Sequence, residues 1–318
     1  MKNISISDIK GFKIGSAEDV EKGTGCTVII CEKGAVAGVD VRGGGPATRE
    51  TDLLNPKNMV QQIHAVMLSG GSAFGLEAGS GAMDYLSERG IGFDLKGIFI
   101  PIVCGASLFD CSVADMKAYP HKEMGYKACE EAEKNNPQQG NFGAGTGASV
   151  GKYTGFDKAM KTGLGMAAVQ CGNVQVGAIV AVNACGDVFY PNSEKPIAGI
   201  YDQKAKKRYF TEDAFLEMAG NADPNTNTTI GCVITNAKMD KAAANKLASI
   251  AHNGYAHCIR PVHTYSDGDT IFAMSTNEVD VDLNALGVMA VKAMEQAIVN
   301  ACTLNEGAYG IPSFKDIQ

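Results

Sequence analysis

Thr228 stands where a polar, turn-forming stretch, Asp223-Pro224-Asn225-Thr226-Asn227, runs into a short apolar stretch, Ile230-Gly231-Cys232-Val233-Ile234. The first reads as a turn and the second as a buried strand. A hydroxyl at that junction is held by the strand and stays open on the loop side. Cutting the bond between Asn227 and Thr228 gives Thr228 a free α-amine beside its own hydroxyl. One residue then supplies both a nucleophile and the base that activates it. From this stretch alone, the plain alternative is a loop followed by a core strand.

Other stretches carry polar groups at element ends. Asn183 closes the strand-like run Val174–Asn183, and the turn Ala184-Cys185-Gly186-Asp187 follows. Its amide either donates to an oxyanion or caps that turn. Thr264–Thr270 is an acidic turn containing Asp267-Gly268-Asp269 and leads into a strand, Ile271–Met274. It lacks the spaced ligands and terminal Glu of an EF-hand calcium loop. Ser69-Gly70-Gly71-Ser72 joins the strand Ile63–Leu68 to the helix-spaced run Ala73–Arg89. Such a strand, turn and helix start can offer backbone N–H groups to an anion. It is neither a P-loop nor a Gly-x-Ser-x-Gly elbow, and Ser72 is a helix N-cap or a nucleophile. Gly143–Ala148 is glycine-rich, but no acidic strand end follows at the distance a dinucleotide site needs. His252 and His257 lie five apart with no third ligand converging, so no metal centre is expected.

The positioning elements follow from periodicity and turn residues. Ile4–Ile14 reads as a strand and turn. Gly25–Cys31 and Ala35–Arg42 read as a hairpin across Glu32-Lys33-Gly34. Ile98–Val103 is a further strand, and Tyr126–Asn135 a short helix. Asp240–Asn253 and Asp282–Cys302 are longer helices, the second apolar on most faces and so packed between a sheet and a neighbour. The stretch 197–225 reads as an exposed connection with a solvated charge run, Lys204–Arg208, and a short helix near Glu212–Met218. Processing is expected there, because exposed loops are where chains are cut.

Composition narrows the classes. With 318 residues, 45% hydrophobic and 20% charged, the chain fits one soluble α/β domain. A net charge of -7, no long basic run and no Trp speak against a nucleic-acid surface. No apolar stretch reaches bilayer length and Met1–Ser5 has no signal core, so no membrane span and a cytoplasmic location are expected. Ten cysteines without a Cys-x-x-Cys pair fit free, buried thiols.

Several stretches taken in order resemble one family. They are Thr24-Gly25-Cys26-Thr27-Val28, Ala37–Gly44, Pro46–Leu54, Leu68-Ser69-Gly70-Gly71-Ser72-Ala73-Phe74-Gly75-Leu76, Gly143–Ala148, Asn227-Thr228-Thr229-Ile230-Gly231 and Asp267–Phe272. Together they resemble the DmpA-type self-cleaving aminopeptidases, which include the L-aminopeptidase/D-esterases and β-peptidyl aminopeptidases. The resemblance implies an α-β-β-α sandwich, like the N-terminal-nucleophile hydrolases but differently connected. It implies a single domain over 1–318, processed into 1–227 and 228–318, with Thr228 as nucleophile and Asn183 as the oxyanion-hole amide. Asp267 and Asp269 would hold the new amine. Gly71, Ser72, Gly145 and Thr146 are expected to line the substrate pocket. No cofactor is implied; the partners are a small peptide, amide or ester substrate and further copies in a homotetramer.

Two departures stand out. Asp267 replaces a Ser, and the added negative charge favours the ammonium form of the amine and raises its pKa. The family's active-site Tyr has no counterpart: Gly151, Lys152 and Tyr153 stand at that place, and the role is assigned to none of them. The expected activity is that of an aminopeptidase or amidase. Its rivals are an acyltransferase of the ornithine acetyltransferase type, whose Ala-Thr-Met cleavage motif is absent, and a binding protein that never cuts.

Overall fold

The computed structural model describes residues 1–219 and 227–318. The turn read at Asp223-Pro224-Asn225 lies outside the described residues. Ten strands make up the main sheets: β1 (Lys2–Ile4), β2 (Lys13–Asp19), β3 (Thr24–Val41), β4 (Thr48–Arg49), β5 (Ile63–Ser69), β6 (Val103–Ser107), β7 (Leu164–Cys171), β8 (Val174–Asn183), β9 (Thr228–Ala237) and β10 (Thr270–Val279). Among the described residues, five α-helices join them: α1 (Ala78–Ser87), α2 (Lys122–Ala132), α3 (Thr211–Glu217), α4 (Lys241–Cys258) and α5 (Leu283–Thr303).

Every residue of β9 is buried, and its side chains alternate between two cores, as a strand's period of two requires. Ile230, Cys232 and Ile234 enter one core, and Val233 enters the other. The first core lies between sheets, where Ile179, Phe272 and Met274 meet Ile29, Val66, Leu68 and Cys104. The second lies under α4 and α5, which contribute Leu247, Ala251, Met289, Ala293 and Ile298. On the far side, Val28, Ile30 and Met67 pack under Ala82 and Leu86 of α1 and Ala128 and Cys129 of α2. The layers are therefore helix pair, sheet, sheet, helix pair. This is the α-β-β-α sandwich that the resemblance implies, an arrangement that buries both faces of both sheets.

One sheet runs β1-β7-β8-β9-β10-β3, and the path continues through β3 into β5-β6-β4, with β2 also on β3. The shared strand corrects the hairpin read at Glu32-Lys33-Gly34. Residues 24–41 form one strand with an irregularity between Ile30 and Ala35. Its first half pairs with β2 and β5, and its second half pairs with β10. The Gly that resembled a turn residue has φ +83° and absorbs this bulge instead of a reversal.

Smaller differences have local causes. The reading of Ile4–Ile14 as one strand fails because a 3-10 turn at Ile6–Asp8 separates β1 from β2. Pro101 separates the short strand Ile98–Ile100 from β6, where one strand was expected. Within 197–219, Lys204–Lys207 are exposed as expected, but Arg208 is half-buried and donates to the Ile197 carbonyl at 3.1 Å. α3 falls within one residue of the expected helix. α4 begins within one residue of the expected start, with Asp240 as its N-cap accepting from Ala243 N at 2.8 Å, but runs on past Asn253 to Cys258. All ten cysteines are free; Cys171 is exposed, Cys111 half-buried and the other eight buried. Among the described residues, no helix is long and apolar enough to cross a membrane.

Candidate active site

Strand directions bring the reactive residues to one edge. β8 runs antiparallel to β9, so the last residue of β8, Asn183, pairs with the first of β9, Thr228. β9 and β10 are parallel, so the turn before β10 lies at that same edge. β3 runs antiparallel to β10, with Val41 opposite Thr270, which delivers Gly43-Gly44-Gly45 there too. These glycines are needed. A Cβ on Gly43 would meet the Asp267 carbonyl at 2.2 Å, and one on Gly44 the Tyr265 carbonyl at 2.6 Å. The bare backbone instead bonds to the turn: Gly44 N to Thr264 O at 3.1 Å and Gly45 N to Asp267 O at 2.8 Å.

Thr228 is buried against that turn. Asn227 N donates to Ser266 O at 3.0 Å, and Gly268 N donates to Asn227 O at 3.0 Å. The Thr228 hydroxyl donates to the same carbonyl oxygen of Asn227. The hydroxyl thus lies at the carbonyl of its own peptide bond, while a backbone N–H polarises that carbonyl from another direction. A hydroxyl and a backbone donor are thus gathered at one peptide bond. A Cβ on Gly268 would sit 2.7 Å from Thr228 Oγ1. Gly268→Ala is expected to crowd the hydroxyl and slow any cut at 227/228 by about tenfold or more, since small misplacements of reacting groups are costly. A time course of chain cutting on denaturing gels checks this.

Both acidic residues of the turn point inward and are buried. Asp267 accepts from Cys185 N at 3.2 Å, Thr264 N at 3.0 Å and Thr264 Oγ1 at 2.6 Å. Burial first, and then the charge of Asp269, push its pKa up to about 6. Asp269 accepts from Thr229 N at 2.8 Å and from His263 Nδ1 at 2.8 Å. The four residues read from the sequence, Thr228, Asn183, Asp267 and Asp269, are therefore brought together.

The residue that sequence reasoning left unassigned is Lys152. It is buried, and its Nζ donates to Asn183 Oδ1 at 2.7 Å. Ser149 N donates to the same oxygen at 3.1 Å, and Asn183 Nδ2 donates to Phe109 O at 2.9 Å. Two donors on Oδ1 fix the amide's orientation and leave one Nδ2 hydrogen uncommitted by these bonds. Burial lowers the Lys152 pKa to about 8, opposed by the acidic side chains near it, Cys185, Asp267 and Asp110. The neighbouring Tyr153 packs edge-on against Phe215. One signal for Lys152 was present: no charged residue occurs between Lys134 and Lys152, so it is an isolated cation in a small-residue stretch.

The four expected pocket residues have other tasks in the described structure. The Gly70-Gly71 turn does offer one N–H, that of Gly71, to an anion, but the anion is this chain's own Asp110, and the Gly70 N–H donates to the Gly25 carbonyl at 2.9 Å. Asp110 Oδ1 accepts from Gly71 N at 2.7 Å, and its Oδ2 accepts from Thr24 Oγ1 at 2.9 Å. Gly71 is one wall of a pocket of about 210 Å³ made with Phe74, Cys111, Met116 and Tyr119; Thr228 is not a wall of it. Ser72 is not the N-cap: Gly71 holds that position without a side-chain cap bond, and Ser72 opens a 3-10 turn with φ +55°. Gly145 and Thr146 are buried. Thr146 Oγ1 bonds the Gly143 carbonyl at 2.8 Å, and the buried Lys161 bonds the Gly145 carbonyl at 2.9 Å. It is the far end of their segment, at Ser149 and Lys152, that reaches Asn183. His252 and His257 have separate partners, the Asp40 carbonyl at 3.0 Å and Glu295 at 2.6 Å.

Comparison with known proteins bears on the fold and the family. The chain is 36% identical to an uncharacterized aminopeptidase of Mycobacterium leprae, over 98% of this chain and 93% of that protein. It is 34% identical to a 6-aminohexanoate-oligomer endohydrolase of Paenarthrobacter ureafaciens, over 92% of this chain and 84% of that one. Among solved structures, a Burkholderia sp. beta-aminopeptidase superposes with a TM-score of 0.72 at 19% identity, over 98% of this chain and 92% of that one. The L-aminopeptidase D-Ala-esterase/amidase of Ochrobactrum anthropi, described as a new variant of the Ntn hydrolase fold, gives 0.72 at 18%, over 97% and 90%. The sequence model of peptidase family S58 matches residues 4–312. With its sandwich, its Thr at the head of a central strand and this match over nearly its whole length, the chain belongs to peptidase family S58, a family of hydrolases.

Proposed function

We propose that this peptidase makes its own nucleophile by cutting one domain between Asn227 and Thr228. It then hydrolyses the first amide or ester bond of small peptides, amino-acid amides or esters. The observation that carries this reading is the pairing of the Thr228 hydroxyl and the Gly268 N–H on the Asn227 carbonyl oxygen. Thr228 Oγ1 adds to the Asn227 carbonyl carbon and gives up its proton. The C–N bond to Thr228 breaks, its nitrogen takes a proton, and an ester links Asn227 to Oγ1. Water hydrolyses that ester, leaving a carboxylate on Asn227 and an amine on Thr228.

In the mature enzyme the Thr228 amine, with an unperturbed pKa of about 7.7–8.0, takes the proton of its own hydroxyl. The hydroxyl attacks the substrate carbonyl. Gly268 N–H, the uncommitted Asn183 Nδ2 hydrogen and Lys152 Nζ are the donors grouped at this edge for the oxyanion. The amine leaves, and water releases the acyl group. Asp267 and Asp269 hold the amine by charge and hydrogen bonding.

An intact mass spectrum of purified protein tests the reading directly. Two pieces matching 1–227 and 228–318 are expected. A whole chain that hydrolyses amino-acid anilides would overturn it. A whole chain without hydrolysis would favour the binding protein, and turnover of acetylornithine the acyltransferase.

The charge on Asp267 gives a pH prediction. Its carboxyl ionises near pH 6 because burial and Asp269 oppose the charge, while the Thr264 hydroxyl favours it. Thr264→Val removes that hydroxyl and keeps the backbone donor. The ionised form loses support, so the acid limb of kcat is expected to move to higher pH. The kcat–pH profiles of the two proteins check this; an unmoved or lowered limb removes Asp267 from the rate.

A further inference from the structure

Asp269 is gripped from two sides. Its Oδ1 accepts the Thr229 N–H at the head of β9. Its Oδ2 accepts both the backbone N–H of His263, at 3.1 Å, and the Nδ1 of the same residue, at 2.8 Å. Two donors of one residue reach one oxygen because His263 adopts φ +57°, a left-handed conformation uncommon outside glycine. Such a conformation persists where the surroundings over-determine it, and it gathers at functional sites. An ionised carboxylate only accepts, so Nδ1 carries the proton.

Behind His263 lie two more rings. His252 is 4.7 Å from it and Tyr255 is 6.1 Å from it, centroid to centroid, and the two are 5.2 Å from each other. His252 Nε2 faces the Asp40 carbonyl, which only accepts, so that nitrogen holds the proton and Nδ1 is bare. Burial holds the His252 pKa near 4, helped by His263 and Arg42 and opposed by Asp40, so the ring is neutral at pH 7. His263 Nε2, His252 Nδ1 and the Tyr255 hydroxyl are all buried without a side-chain or backbone partner among the described residues. Three such atoms on three adjoining rings, behind one carboxylate, exceed what a packed core uses.

We propose that His263 is a positioning residue for the reaction of Thr228. It clamps Asp269 so that the other carboxylate oxygen holds Thr229 N–H, and with it the first turn of backbone that carries the nucleophile. His252 and Tyr255 form the buried polar wall that fixes the ring. The inference rests on the reading of Thr228 as nucleophile.

Substitution at 263 tests it, with kcat, KM and chain cutting read together. His263→Ala should lower kcat about 10- to 100-fold, the usual cost of losing a partner that orients a reacting group, with KM changed less than about twofold. His263→Asn places an amide N–H near the position of Nδ1 and tolerates a positive φ. It should recover kcat to within about threefold of the unaltered enzyme. His263→Asp has the same size and backbone tolerance but sets a second carboxylate against Asp269, so it should match the Ala variant. The Asn and Asp pair decides the matter even if the Ala variant does not fold. Full kcat in the Asp or Ala variant overturns the inference, as does an Asn variant as slow as the Asp variant. If Thr228→Ala is still cut and active, the reading of the nucleophile fails whatever the His263 series does. A Thr228-dependent enzyme with an unresponsive His263 fails only this inference.

Discussion

Thr228→Ala is expected to leave the 318 residues as one chain, with hydrolysis lower by at least about 10⁴-fold, as when a nucleophile is removed from a coupled catalytic unit. The substitution removes the atom that bonds the Asn227 carbonyl and, by preventing the cut, also withholds the α-amine. Both halves of the chemistry are lost together, which is why this change exceeds any other. The fold should survive, because the pairing of Thr228 with Asn183 runs through the backbone. Thr228→Ser keeps a hydroxyl and should still be cut. Denaturing gels beside an amino-acid anilide assay read both results. A cut or active Ala variant removes Thr228 from the mechanism.

Lys152→Met should produce the second largest loss, about 100- to 1,000-fold in kcat, the range for one oxyanion-hole donor. Methionine fills similar volume without a charge or donor and leaves Asn183 Oδ1 with Ser149 N alone. Arginine should not restore activity, since its guanidinium is larger and stays charged. The same variant should be more stable. A lysine whose folded pKa is lowered to about 8 is disfavoured as a cation in the fold. That cost, on the order of 3 kcal/mol for a shift of this size, is fully present below pH 8. It fades as pH rises from about 8 toward the unfolded value of 10.5. The melting temperature of Lys152→Met should therefore exceed that of the unaltered protein at pH 7, and the gap should close in alkaline buffer. Thermal melts at pH 7 and pH 10 check it. Lower activity with higher stability marks a residue kept for chemistry.

The central strands were legible because each carries a continuous or alternating apolar run, whereas their stacking into a sandwich came from the resemblance. Val174–Asn183 was bounded correctly at both ends, where Asn183 meets Ala184-Cys185-Gly186. Residues 32–34 were misread because a charged pair and a glycine look alike whether a chain reverses or bulges. What distinguishes the cases is which partners are available, and those partners, β5 and β10, lie far along the sequence. Thr228 and Asn183 drew notice at the ends of readable strands, but the roles of all four, Asp267 and Asp269 included, came from the resemblance. Their convergence depends on β9 running antiparallel to β8 but parallel to β10, with β3 antiparallel to β10, which no local pattern encodes. Lys152, Asp110 and His263 lie in loops, where the burial that makes them important leaves no periodic trace.

The order of strands carries one more consequence. Residues 228–318 bring β9, β10, α4 and α5, and β9 and β10 are seated between β8 and β3 of the earlier portion. A break at residue 227 would leave two polypeptides interleaved like the fingers of clasped hands. No path separates them short of tearing open the hydrogen-bonded middle. Gel filtration and dilution should never yield either fragment alone, and the nicked protein should denature in one cooperative event whose reversal demands that both fragments meet again.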